Sequence, residues 1–238
     1  MRNTLKAATL ESKFPLLAVE ADCIISKDAD ITAVFEVDLP ELFTVTAAEY
    51  EAVHAAWAKA IKVLPNYTVV HKQDWFIRED YRSQTDEENL SFLSRSYEMH
   101  FNERPFLNHK CYLYLTKTTK ERMRMQSSFS SLCRGFIIPK EVDKDTTAHF
   151  LDTVGQFARI VNDTGLVHLR RLVGDEITGT ENKAGLVEKY FCLSMENTTA
   201  LEDIELGDDG LRVGDKHVSV HTLSELDALP GKVGMDCR

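Results

Sequence analysis

The order of hydrophobic patterns predicts an α+β fold built on a ferredoxin-like β-α-β-β-α-β order. Three observations carry it. Segments 31–38, 67–77, 109–117 and 166–172 read as strands. Segments 46–64 and 145–162 repeat apolar residues at spacings of three and four, as amphipathic helices do. The six segments then follow one another as strand, helix, strand, strand, helix, strand. A helix over 87–103 is inserted in the middle hairpin, a β-hairpin precedes the core and a β-meander follows it. The expected division is an α+β domain over 1–200, then a meander and the start of a linker over 201–238.

Each element has its own justification. Phe14–Glu20 and Cys23–Ser26 are apolar runs split by Ala21-Asp22, a hairpin pattern. Ile31, Ala33, Phe35 and Val37 alternate with Thr32, Val34, Glu36 and Asp38, which predicts a strand with one buried face. Thr46 and Glu49 form a capping box at the start of the first helix. Tyr50, Val53, Trp57, Ile61 and Leu64 supply its stripe over about five turns, and Pro65-Asn66 ends it. Tyr67–Ile77 is rich in β-branched and aromatic residues. Asp86, Glu87 and Glu88 place negative charge at a helix start, followed by Leu90, Leu93, Tyr97 and Phe101. Cys111, Leu113 and Leu115 alternate with tyrosines in the next strand. Asp145 opens a helix whose face is Phe150, Leu151, Val154, Phe157, Ala158 and Val161. Glu181–Leu193 reads as a helix. Gly207-Asp-Asp-Gly210 and Gly214-Asp215 separate short alternating pairs, the mark of a meander.

Composition excludes several classes. The chain has 238 residues, 28 basic and 38 acidic, for a net charge of −10. That balance opposes broad nucleic-acid binding, which needs a cationic footprint. No apolar run reaches the roughly 18–20 residues of a membrane span. Met1–Glu11 carries Arg2 and Lys6 without the apolar stretch of a secretory signal. Five cysteines, with no C-x-x-C pair, read as reduced thiols of a cytoplasmic protein, most of them small core hydrophobes.

Motifs for chemistry fail on inspection. The only Gly-Lys, Gly231-Lys232, is followed by Val233 and preceded five residues earlier by Leu226, so it reads as a turn and not as a phosphate loop. Asp28-x-Asp30-x-Thr32 begins like a calcium loop, but Ala33 and Leu39 stand where glycine and glutamate are needed. His217 and His221 on a strand lie about 13 Å apart, too far for one zinc. His109-x-Cys111 alternates within one strand and reads as a core thiol beside a histidine. Carboxylates are abundant, yet no spacing selects a catalytic pair.

One stretch is unusual. Lys117, Lys120, Arg122, Arg124 and Arg134 cluster within an acidic chain, and Met123 and Met125 interleave with the arginines. Flexible methionine beside arginine suits an adaptable partner surface, an anionic strand or a lipid head group. A solvated face with two core methionines is the plainer reading of the same residues.

Two long segments, Leu10–Phe76 (LESKFPLLAVEADCII… through …NYTVVHKQDWF) and Phe101–Gly135 (FNERPFLNHKCYLYLTKTTKERMRMQSSFSSLCRG), resemble the N-terminal region of TraG-type ATPases of conjugative transposons. Those proteins are similar to the assembly ATPases of type IV secretion systems. The resemblance implies an α/β domain that docks a P-loop motor onto the membrane transfer apparatus and neighbouring subunits. It implies ATP and Mg²⁺ only for the motor, whose phosphate loop does not occur in these 238 residues, so no catalytic, cofactor or metal residue transfers here. The chain is thus expected to be either a piece ending before a motor or a naturally short relative. Expected partners are secretion-apparatus subunits or further copies of the chain, at the cytoplasmic side of the inner membrane in peripheral contact with it. The competing reading is a single-strand nucleic-acid module that stacks bases on Trp75, Phe76, Tyr112 and Tyr114. A stand-alone enzyme with a carboxylate pair has no motif behind it.

Overall fold

The computed structural model describes residues 14–41, 44–80, 91–102, 104–118, 144–193, 203–207 and 210–221. Within them the chain is α+β. Its main sheet comprises β1 (Leu16–Glu20), β2 (Cys23–Ser26), β3 (Ile31–Asp38), β4 (Thr68–Asp80), β5 (Pro105–Lys117) and β6 (His168–Arg171). The strands run in the order β1-β2-β3-β5-β4, with β6 also on β3. Every neighbouring pair is antiparallel. β3 shares one edge between two partners: β2 pairs along residues 31–33 and β6 along 35–38.

Local chemistry sets the ends of these elements. Ala21 and Asp22 both adopt positive φ, +50° and +57°. That is the two-residue turn whose twist matches a hairpin. Ser26 Oγ accepts from the backbone N–H groups of Asp28 and Asp30, so the acidic segment is an ordinary turn. Helix α1 (Ala47–Val63) starts at the predicted box: Thr46 N–H donates to Glu49 Oε2 at 2.8 Å and Glu49 N–H donates back to Thr46 Oγ1 at 3.3 Å. Helix α2 (Phe92–Asn102) takes its cap from Ser91, whose Oγ accepts from Ser94 N–H. Of the helix expected over 87–103, residues 87–90 and 103 lie outside the described residues.

Helix α3 (Lys144–Asn162) lies with α1 over one face of the sheet. Phe150, Val154, Phe157 and Val161 recur at spacings of four, three and four and are all at most 1 % exposed. They meet Ala33, Phe35, Leu113 and Leu115 from the strands. Trp57 of α1 packs edge-on to Phe157 at 5.6 Å. The inward stripe of α1 is Val53, Trp57, Ala60 and Leu64. Tyr50 and Ile61, expected on that stripe, are exposed. They sit one flank off the contact, and Ala60 lets the helix approach where a larger residue would hold it away. Asn162 ties the end of α3 to β6: its amide donates to Leu169 O and accepts from Leu169 N–H at 2.7 Å.

The opposite face carries a smaller core. Val34, Ile24, Tyr112 and Leu172 pack against Ile177 and Leu186. These come from α4 (Gly174–Thr178) and α5 (Leu186–Cys192). The helix expected over 181–193 is therefore shorter, because β7 (Gly179–Thr180) and β8 (Lys183–Ala184) make a small hairpin first. The hairpin closes through two glycines: a Cβ on Gly185 would lie 2.2 Å from Gly179 N. The meander forms as predicted, from β9 (Ile204–Gly207), β10 (Gly210–Val213) and β11 (Lys216–Val218). Lys216 Nζ donates to Cys192 O and links it to α5. His217 lies on β11 and His221 beyond its end.

Candidate docking surface

β4 and β5 pair in one unbroken register over thirteen residues each, from Thr68↔Lys117 to Asp80↔Pro105. β3 pairs only with residues 111–117 of β5. Beyond Cys111, therefore, β4 and β5 continue as a two-stranded arm, Trp75–Asp80 against Pro105–Lys110. Pro105 suits the first position of a strand, where no ladder N–H is required. α2 lies between these two strands in the sequence and has no extensive packing partner among the described elements.

Pleating divides the arm into two faces. Gln73, Trp75, Ile77 and Glu79 are half-buried, whereas Asp74, Phe76, Arg78 and Asp80 are exposed. The half-buried face meets α5 in an open groove of about 290 Å³ lined by Gln73, Trp75, Ile77, Tyr190 and Leu193. Trp75 and Tyr190 pack there with ring centres 6.1 Å apart. On the exposed face, Phe76 stacks on His109, 4.7 Å between centres and 12° between planes. His109 Nε2 lies 2.8 Å from Asp74 Oδ1, and Lys72 Nζ contacts both oxygens of Asp74. Burial pushes the Asp74 carboxyl up, but hydrogen bonds from Lys72, His109 and Cys111 outweigh it and hold it below the usual carboxylate range. Burial pushes the Cys111 thiol up to about 11, so at neutral pH it is a thiol and not a nucleophilic thiolate.

Apolar surface is concentrated here. Phe76 (65 %), Phe92 (85 %), Leu93 (78 %), Leu107 (67 %), Tyr97, Met99 and Phe106 are large apolar side chains exposed on the arm and α2. Leu93 and Tyr97, four residues apart, fall on one side of α2, and Phe92 and Met99, seven apart, on a neighbouring one. A cluster of this kind marks an interaction surface more often than scattered single residues do.

Of the residues singled out in the sequence, Lys117 lies at the end of β5. Its ammonium donates to Asn66 O and sits 5.5 Å from the centre of the Tyr67 ring. Lys120, Arg122, Met123, Arg124, Met125 and Arg134 lie outside the described residues. The four aromatics proposed to stack bases do not share a face. Phe76 is on the exposed side; Trp75, Tyr112 and Tyr114 are on the other. Tyr112 is buried and Tyr114 donates to Gln73 Oε1 at 2.7 Å. Cys23, Cys111 and Cys192 are buried, as expected of core cysteines. Among the described residues, no group of three His, Cys, Asp or Glu could hold a metal ion, and no helix is long and apolar enough to cross a membrane.

Sequence reasoning misses the Lys72–Asp74–His109 row. Its only local signal is opposite charge at i and i+2, which a strand puts on one face; His109 arrives solely through the register of β5.

A family model matches residues 3–55. It is described as a domain of unknown function, a B. theta gene description (DUF3875). The match spans the first hairpin, β3 and the first half of α1, and stops before β4 and the arm. No curated protein matches the chain.

Proposed function

We propose that this chain is a non-catalytic docking and assembly module of a conjugation ATPase, and that α2 with the arm is its protein-binding face. One observation carries the reading: Phe92 and Leu93 are exposed at 85 % and 78 % on a helix, α2, with no extensive packing partner among the described elements. An amphipathic helix has little stability alone in water, because most helical stability comes from burying one face against something else. The conjugative setting rests on the extended sequence resemblance. It puts the partners among the subunits of the membrane-bound transfer apparatus, with the chain peripheral at the cytoplasmic side of the inner membrane. A ferredoxin-like core is the finer fold reading, and the order β6-β3-β5-β4 with α1 and α3 on one face supports it.

The test is a Leu93→Ser/Tyr97→Ser variant offered to purified cytoplasmic domains of the transfer-apparatus subunits. Capture by the parent chain, lost in the variant at unchanged circular dichroism and melting temperature, is the expected result. Equal capture by both proteins overturns the α2 face. The chain is also expected neither to bind nor to hydrolyse ATP; turnover that survives repurification and follows the protein peak would refute the non-catalytic reading. Salt-steep binding to single-stranded DNA would favour the nucleic-acid reading instead.

A further inference from the structure

We infer that two copies of the chain pair through the outer edge of β4, antiparallel about a two-fold axis at Phe76. The inference adds a partner to the docking reading and rests on it only in treating the arm as an assembly surface.

β4 is the last strand on its side of the sheet, and its partner β5 lies on the inner side. Among the described residues nothing pairs with its outer edge. Such an edge presents unpaired N–H and C=O groups, and proteins that must stay apart blunt it with proline, a bulge or a short strand. β4 has none of these three: it is thirteen residues long, contains no proline and keeps an unbroken register with β5. It does carry charged side chains, which also blunt an edge unless a partner matches them. Strand addition at such an edge supplies main-chain hydrogen bonds, and the side chains decide the register.

Self-pairing of antiparallel strands matches residue i with a residue on the same face of the sheet, and the charge pattern of the exposed face is complementary about Phe76. Lys72, Asp74, Phe76, Arg78 and Asp80 all lie on that face. Centred on Phe76, Lys72 of one copy stands opposite Asp80 of the other, and Asp74 opposite Arg78. The two-fold axis repeats both pairs. Phe76 meets Phe76 at the centre, where each ring already stacks on its own His109. On the opposite face Trp75 falls opposite Ile77 and Gln73 opposite Glu79. Opposite charges and aromatic pairs directly across antiparallel strands are the favourable combinations. The overlap needs only residues 72–80 of each copy. That is the arm strand Trp75–Asp80 and the three residues before it, so the helix-covered halves lie at opposite ends of the joined strands. A two-fold contact of this kind is self-limiting, which suits a dimer and not a fibre.

A rival register centred on Gln73 pairs only Lys72 with Asp74 and draws Val70, which packs against the core beneath α1 and α3, into the junction. Centring on Phe76 is preferred for its larger set of charge pairs and its use of exposed residues.

The experiment uses the full chain. Light scattering at rising concentration is expected to approach twice the chain mass. Phe76→Cys is expected to give a disulfide-linked dimer under mild oxidation beyond the parent background. Directly opposed strand residues lie about 4.5–5.5 Å apart at Cα, within disulfide reach. Gln73→Cys is expected to give none. Arg78→Asp sets Asp74 against a second aspartate twice per dimer and is expected to weaken pairing roughly tenfold. Mixing it with an Asp74→Arg chain restores both pairs and the dimer. A parent chain that stays monomeric to about 100 μM, far above ordinary interface affinities, overturns the proposal. So does cross-linking at Gln73→Cys in place of Phe76→Cys, or failure of the mixed charge variants to reassociate. Leu93→Ser/Tyr97→Ser leaves this edge intact, so a failed partner capture and a failed dimer are separately visible.

Discussion

One strand lives in two environments. From Cys111 to Leu115, β5 is held between β3 and β4 and covered by α1 and α3, and Leu113 and Leu115 are at most 1 % exposed. From Pro105 to Lys110 the same strand keeps only β4, and Leu107 is 67 % exposed. The amino acids do not differ in kind: leucine and aromatics occur in both halves. The difference lies in whether a helix layer arrives from elsewhere in the chain. Apolar side chains in the first half fold the protein, and those in the second half stay exposed among the described residues.

That contrast is open to attack, beginning with the largest effect. Phe157→Ala removes a fully buried ring at the junction of α3, Trp57 and the sheet. It should cost about 3–5 kcal/mol in denaturant unfolding. Leu107→Ala on the arm should stay within about 0.5 kcal/mol, as surface changes do. A comparable loss at both positions would mean that the arm belongs to the core.

Gly185→Ala comes next. Its Cβ would press on Gly179 N at 2.2 Å and Thr178 C at 2.3 Å, backbone that cannot swing aside. A loss of about 1–3 kcal/mol by chemical denaturation is expected, the usual cost of overpacking. A neutral change would show that α4 and the β7–β8 hairpin yield without cost, making this side softer than the helix-covered one.

The smallest effect is electrostatic. Arg170 on β6 reaches Glu36 on β3 at 2.6 Å and Glu176 on α4 at 2.8 Å. Burial pushes the Glu176 carboxyl up, but the Val173 backbone N–H and Arg170 together outweigh it and hold it below its ordinary value. A carboxyl depressed in the folded state adds stability above its unfolded pKa, and that stability is lost as pH falls through the folded value. Unfolding followed between pH 7 and 3 should show stability flat to about pH 5, falling below the ordinary glutamate range near pH 4.3. Glu176→Gln should flatten part of that fall. An identical acid profile in the variant would remove this network as a cause.

Local rules are legible in the amino-acid sequence alone. The Thr46–Glu49 box, the Ala21-Asp22 turn, the Phe150–Val161 stripe and the glycine-punctuated meander each depend on neighbours within a few residues, and each forms where expected. The helix expected over 181–193 is cut short because its pattern conceals a two-glycine closure between residues 179 and 185. Periodicity does not encode such a backbone approach. Tyr50 and Ile61 belong to the apolar stripe yet face solvent, because a stripe shows which side of a helix is apolar, not how much of it a partner covers.

By itself the sequence determined the α+β class and the chemistry available along each strand, since these follow from hydrogen bonding and side-chain period over short distances. The tertiary structure decided which apolar residues are core and which are surface. It also brought His109 to Asp74 and Phe76, and among the described residues it set no strand on the outer edge of β4. Those outcomes depend on strand register and on helices far along the chain, and no local pattern carries that information.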